Sequence, residues 1–586
     1  MGRQPTDDEL TERAAIDGRV AFAMAAFAAA AGLIVLIDRV GAPERLIAAA
    51  GPAALLAGVA LIGLLLRTMR VSRFYAAGRA VPPAYAGVGA LAIALALIIP
   101  FTPPVSDRYS GVGVFAGFAG GLVCALLVSG PYLRKTGAFS LSDLVASRFE
   151  RLPVRLGVAA VVGATALIAA FAGYETAVSG LSTIAGVDRP AAAVAVGLVL
   201  VLAVGPGGQS GAIWIAATTG GVFIACFALP ILLLALHKQT IPLPYIGDPD
   251  AWRTAIGRIE AWQGDAGEPA SLSLSAGMAL GMASFAPLIA PLVGVRDRIA
   301  AVRAGFGGLF WGLVAAALVC ATVAASTLAL VDTMVGRRPE RLPDAIYAAS
   351  ATRLVAICGV SAPSPSQARA ACQRTPNFAG ELRPQDIDTR GVFLLTALPP
   401  LAALGAAMSG LVWAAIVGVG IALASAGLLA AATALGNDAI HHVRDRSALT
   451  SRRLAIARAI LLAAIVMGGL LTGARELEPR VLIGVALALS ATTLAPLMAL
   501  ALWPRARAVD ALFALATGLV AAESLFATGE PTVHRLAHGA VLGFFAAVAV
   551  GVATSFVGGG DRSRGRAFLA GLLQADGDVL EPDKGA

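Results

Sequence analysis

The chain reads as an all-α polytopic membrane protein of about fourteen transmembrane helices. Three observations predict this. Hydrophobic residues make up 58% of the 586 and charged residues 14%, too little polarity to clothe soluble domains of that size. The apolar residues fall into blocks of about 20, each one hydrocarbon thickness when helical. The arginines gather in the links between blocks.

The elements follow in order. Residues 1–18 form an acidic, helix-friendly tail, too polar and long for a signal n-region, and read as cytoplasmic. Two accessory helices occupy 19–66, with spans at 20–38 and 47–66. Five spans follow within 85–236, at 85–104, 112–130, 156–180, 190–205 and 211–236. A polar external loop covers 237–271. Five more spans lie within 272–500, at 272–294, 305–333, 410–436, 456–473 and 480–500. A second external loop, 334–409, interrupts this group. Its apolar end, Val392 to Ala407, is broken by Pro399-Pro400 and reads as a re-entrant or surface helix. Two last helices, at 509–528 and 537–557, fill 509–557, and 558–586 is a cytoplasmic tail.

Charge supports this count. With fourteen spans, the clusters Arg67/Arg70/Arg73/Arg79, Arg134/Lys135/Arg148/Arg151, Arg296/Arg298/Arg303, Arg444/Arg446/Arg452/Arg453 and Arg505/Arg507 share one side. The positive-inside rule makes that side the cytoplasm of a bacterial-type inner membrane, with both termini inside. The net charge of +8 is thereby an orientation signal and not a nucleic-acid footprint. The bilayer is the one certain partner; a small membrane subunit or a homo-oligomer stays open. Cys124, Cys226 and Cys320 sit in apolar blocks, while Cys358 and Cys372 share the second external loop, where an oxidising compartment permits a disulfide.

Three stretches resemble a known family. Phe74-Tyr75-Ala76-Ala77-Gly78-Arg79-Ala80-Val81-Pro82-Pro83 looks like the lead-in to the first core helix of sodium:solute symporters. Pro131-Tyr132-Leu133-Arg134-Lys135-Thr136-Gly137, with Asp143 and Arg148-Phe149, looks like the link after their second core helix. Gly207-Gly208 sits where the family has a glycine pair before its fifth. The most similar subgroup carries acetate and other short monocarboxylates. The resemblance implies an inverted five-helix-repeat (LeuT-like) core, with the repeats at 85–236 and 272–500. It also implies that the first helix of each repeat is unwound at the binding site. Both candidate helices hold breakers: Pro100, Pro103 and Pro104 in one, Pro287 and Pro291 in the other.

The chain departs from the family where sodium should bind. A hard cation wants oxygen ligands. The matching stretch of the first core helix, Ile93-Ala94-Leu95-Ala96-Leu97-Ile98-Ile99, offers no side-chain oxygen. The paired hydroxyls of the eighth core helix fall near Ala422-Leu423, with Ser425 alone close by. The subgroup's histidine on the sixth core helix is absent from Phe285-Ala286-Pro287-Leu288.

Other polar groups inside apolar blocks need a reason. Glu175 reads either as a protonatable coupling group or as a solvated residue near the external end. Ser273, Ser275, Ser284, Thr218 and Thr219, with Gln209, are the candidate substrate contacts. Each equally fits a helix-bridging role. His441-His442, after Asn437-Asp438, complement a helix end. No nucleotide-binding, metalloprotease or hydrolase pattern appears, so no enzyme activity and no cofactor are expected beyond Na+ or H+ as coupling ion. The expectation is secondary transport of a small organic anion; a transport-inactive partner or sensor on the same scaffold is the alternative.

Overall fold

The computed structural model describes residues 7–102, 111–238, 249–250, 252–254, 257, 268–376, 378–389, 391–441, 449–527, 532–557 and 563–573. Pro103, Pro104, His442, Arg444, Arg446 and most of the first external loop lie outside them.

Long helices dominate: α1 (Asp7–Arg39), α2 (Glu44–Leu65), α3 (Pro83–Ile98), α4 (Gly113–Thr136), α5 (Leu152–Ala185) and α6 (Arg189–Lys238). After the first external loop come α7 (Glu268–Ala283), α8 (Ala286–Val293), α9 (Arg298–Met334) and α10 (Ala406–Ala432). The chain closes with α11 (Thr450–Ala474), α12 (Pro479–Ala501), α13 (Ala508–Ala527) and α14 (Val533–Val557).

Thirteen helices among the described residues are long and apolar enough to cross a membrane. One of them, α6, is two spans. At Gly208 the backbone takes φ 55° and ψ −142°, a region that only glycine enters freely. A Cβ at Gly211 would lie 2.8 Å from the Ala203 carbonyl, eight residues back. Along a straight helix those positions are about 12 Å apart, so the chain doubles back here and the spans among the described residues number fourteen.

Contacts at the two ends agree with that count. Arg148 Nε and Nη2 donate to the carbonyls of Ala501, Trp503 and Ala506. Arg134 donates to Val295 and Arg296, and Arg458 to Gly205 and Thr68. Each pairing joins links assigned to the basic side. At the other end Asp38 accepts from the Ala407 amide, and Arg189 donates to the Thr472 and Arg475 carbonyls. These guanidiniums satisfy carbonyls that helix ends leave without a partner.

The core is built on close backbone approach. A Cβ on Gly173 of α5 would meet the Gly420 carbonyl of α10 at 2.5 Å, and one on Gly427 the Ala166 carbonyl at 2.5 Å. In lipid such small-residue contacts replace hydrophobic driving force with packing. α10 is thereby almost wholly buried at the middle of the bundle.

The second long link folds as a compact unit at the end opposite the basic links, with its own apolar cluster, including Met334, Ile346, Ile357, Leu382 and Phe393. β1 (Val355–Ile357) pairs antiparallel with β2 (Ile387–Thr389). Cys358 and Cys372 are joined by a disulfide, with Cα atoms 5.1 Å apart. The Pro399-Pro400 segment forms two short helices, Gly391–Thr396 and Leu398–Leu401, the first packed against the outer end of the first core helix.

A candidate solute site at a helix break

The sixth core helix is interrupted. α7 stops at Ala283, Phe285 is extended (φ −82°, ψ 106°), and α8 restarts at Ala286. Pro287 sits in the first turn of α8, where its missing N–H would have had no partner anyway. The groups freed by the break are met from two other helices. Ser129 Oγ of α4 donates to the Ala283 carbonyl at 2.5 Å. Ser284 Oγ shares a hydrogen bond with Ser490 Oγ of α12 at 2.9 Å. Both neighbours sit in π turns, Ala125–Ser129 and Ser490–Leu494. Three local irregularities therefore meet at one place, and π turns recur at functional sites.

The remaining sequence candidates do not gather there. Ser275 Oγ donates to the Gly113 carbonyl at the end of the bundle opposite the basic links, and Ser273 lies half-buried beside it. Thr219 Oγ1 bonds back to the Ala216 carbonyl, while its methyl packs on Gly418 of α10; Thr218 is half-buried on the same limb. Gln209 Nε2 donates to the Ala290 carbonyl of α8 at 3.1 Å and so ties the reversal of α6 to the half-helix. Of the six candidate substrate contacts, Ser284 alone is at the break.

The expected break in the first core helix is corrected. α3 runs unbroken from Pro83 to Ile98 and ends in a tight turn, Ile99–Phe101. Between Gly89 and Ile99 nothing favours a break, and Pro100 falls in the closing turn and not mid-span. Leu91 to Leu97 are all buried. This stretch presents no side-chain oxygen. Ser425, fully buried on α10, has no hydrogen-bond partner for its hydroxyl among the described residues. It is seven residues, about 10 Å of helix, from Gly418 where Thr219 packs.

Glu175 is held in an ion pair. Arg189 Nη2 reaches its two carboxylate oxygens at 2.8 and 2.7 Å, and Ser179 Oγ donates to it at 2.5 Å. The carboxylate is fully buried, and Arg189 also caps the end of α11. The pair locks α5, α6 and α11 together near the end of the bundle opposite the basic links.

Sequence reasoning passed over Ser129 and Ser490, because a π turn leaves no mark in residue type. It also read Asp438 as a mere lead-in to His441. Asp438 is fully buried.

No family model matches the chain. An uncharacterized symporter of Cupriavidus necator is 30% identical over 144 residues, which are 24% of this chain and 21% of that protein. The match thus spans about a fifth of the relative. Among solved structures, a Na+-coupled sialic acid symporter in a substrate-bound outward-open state superposes with a TM-score of 0.62. It is 16% identical, and the match covers 88% of this chain and 98% of that one. A nucleobase-cation-symport-1 family transporter in a closed conformation is 15% identical, covering 86% and 98%, with a TM-score of 0.43. The chain is an all-α, multi-pass membrane protein with the inverted-repeat, LeuT-like fold.

Proposed function

We propose that the chain is a secondary active transporter of a small organic solute, with a short monocarboxylate such as acetate as its substrate class. One observation carries this reading: the break between α7 and α8, bordered by hydroxyls of α4 and α12. The aligned backbone dipoles of α8 place partial positive charge at its N-terminus, and this favours a carboxylate without any cationic side chain. The resemblance of the links and the name of the partial relative point the same way. The chain would sit in a bacterial-type inner membrane with both termini cytoplasmic. Coupling to sodium through the usual ligands fits poorly, since α3 offers hydrocarbon and α10 offers Ser425 alone.

The test is uptake of labelled acetate and related monocarboxylates into proteoliposomes, with sodium and pH gradients imposed separately. Uptake driven by the pH gradient alone is the expected result, and Ser284→Ala should then raise KM. Uptake that vanishes without sodium would overturn the assignment of the lost ligands. A second reading, a transport-inactive partner on the same scaffold, is favoured by the unbroken α3 and its fully buried inner stretch. Absence of uptake under either gradient from folded protein would select it.

A further inference from the structure

Four carboxylates are buried among the described residues, and three are neutralised by arginine. Glu175 has Arg189, Asp510 has Arg507, and Asp386 has Arg383. The fourth, Asp438, touches no cation among the described residues. It lies in the π-turned end of the eighth core helix, Thr433–His441, at the basic end of the bundle. One of its oxygens accepts from the hydroxyls of Ser140 and Ser142, the latter at 2.5 Å. The other accepts from Asn437 Nδ2 at 2.7 Å. All three donors are neutral.

The surrounding charges do not repair this. Arg453 of α11 donates to the side-chain oxygen Oδ1 of Asn437 and lies over the Tyr75 ring, 5.5 Å from its centroid. Asp143, from the short helix Leu141–Phe149, adds a second negative charge, and Arg155 of α5 pairs with Asp143 at 3.4 Å. His441 ends the same turned segment. The Tyr75 hydroxyl, buried beside Arg453, finds no hydrogen-bond partner among the described residues.

A buried carboxylate anion without a cation is costly, and binding a proton removes the cost. This pocket can serve both forms. The ionised group accepts two serine hydroxyls. The protonated group donates to one of them, which then turns its own hydrogen to the other, 3.0 Å away. No other group need move.

The placement gives that proton a consequence. Ser140 and Ser142 belong to the link of the first repeat, and Asp438 to the second. Separation of the repeats at the basic end would strip the hydroxyls away and admit water, which favours the anion. Closure favours the acid. Proton binding and closure are then linked, each strengthening the other by the same factor.

We propose that Asp438 is the proton-binding group of this protein, with Ser140 and Ser142 as its switchable partners and Tyr75 facing the same pocket. As a coupling site it rests on the transport reading; as a proton site it does not. The step is simple: hydronium gives one proton to a carboxylate oxygen on closure, leaving water, and opening at the basic end returns that proton to water; coupling further requires that the proton taken on closure come from the opposite side of the membrane.

Two measurements test this separately. Infrared difference spectra of the purified protein, titrated through neutral pH, should show a protonated-carboxyl stretch that Asp438→Asn abolishes and Glu175→Gln retains. Persistence of the band in Asp438→Asn, or its absence from wild type, overturns the proton site. Should Asp438→Asn fail to fold, Ser142→Ala serves instead. It removes a donor to the anion and should shift the midpoint of the band upward in pH; an unchanged midpoint overturns the proposal. In proteoliposomes Asp438→Asn should lose at least tenfold of pH-driven uptake while keeping solute exchange at equal pH. Unchanged pH-driven uptake overturns the coupling role. An Asp438 band in a protein that takes up nothing would leave the proton site standing and defeat the transport reading alone.

Discussion

Glu175 shows how far a single residue can be read without its neighbours. Its position inside an apolar block announces that it needs a reason, but the reason sits fourteen residues on, past a reversal at Gly186. No helix-spacing rule joins Glu175 to Arg189; only the packed bundle does. The pair makes a firm prediction. Arg189→Ala strands a buried carboxylate and should destabilise the fold by about 3–5 kcal/mol, read from unfolding in mixed micelles. Glu175→Gln combined with Arg189→Met should recover most of that loss. If the single and double variants are equally unstable, the pair is not what holds α5 to α11. Tyr75 gives a pH prediction at the same scale. Burial pushes its phenol from 10.0 up to about 12, outweighing the nearby Arg453 cation. The unfolded phenol ionises first, so stability is full below pH 10 and falls as pH rises toward 12. Tyr75→Phe should flatten that decline in alkaline melting curves.

Helices were legible in proportion to the residue types that make or stop them. Pro287 marks the break before α8, and the glycines at 207 and 208 mark the reversal of α6. The prolines near 100 misled, because a proline ends a helix as readily as it interrupts one, and sequence does not say which. The π turns beside Ser129 and Ser490 had no signal at all; they arise from fit between helices. That fit is testable. Gly173→Val would force α5 off the Gly420 carbonyl and should cost at least about 1–3 kcal/mol, seen as a lower melting temperature. Arg148→Met keeps the apolar stem but leaves the carbonyls of Ala501, Trp503 and Ala506 without their donor. A loss of about 2–3 kcal/mol is expected in the same assay.

The fold as a whole was the most legible level, since charge and length alone determine which links share a side. Arg148 meets Trp503, and Arg134 meets Val295, only if the spans between them have been counted correctly. The compact unit at 335–405 is built differently, with its own cluster and a disulfide across fourteen residues. A cross-link of that size contributes about 3 kcal/mol by restricting the unfolded loop. Reduction should therefore open this unit to protease while leaving far-ultraviolet helicity unchanged. A general loss of helicity would show that the spans depend on it. The solute site was the least legible level, because hydroxyls that line a site and hydroxyls that bridge helices have the same composition.

The reversal at Gly208 has one more consequence, for how the chain enters the bilayer. Its two limbs are joined by Gly205-Pro206-Gly207-Gly208, and the Pro206 carbonyl is taken by the Thr68 amide. Too few residues separate the limbs for either to rest at the interface while the other crosses. The fourth and fifth core helices must insert together as one hairpin, and this joint has no slack for an inserted loop or tag.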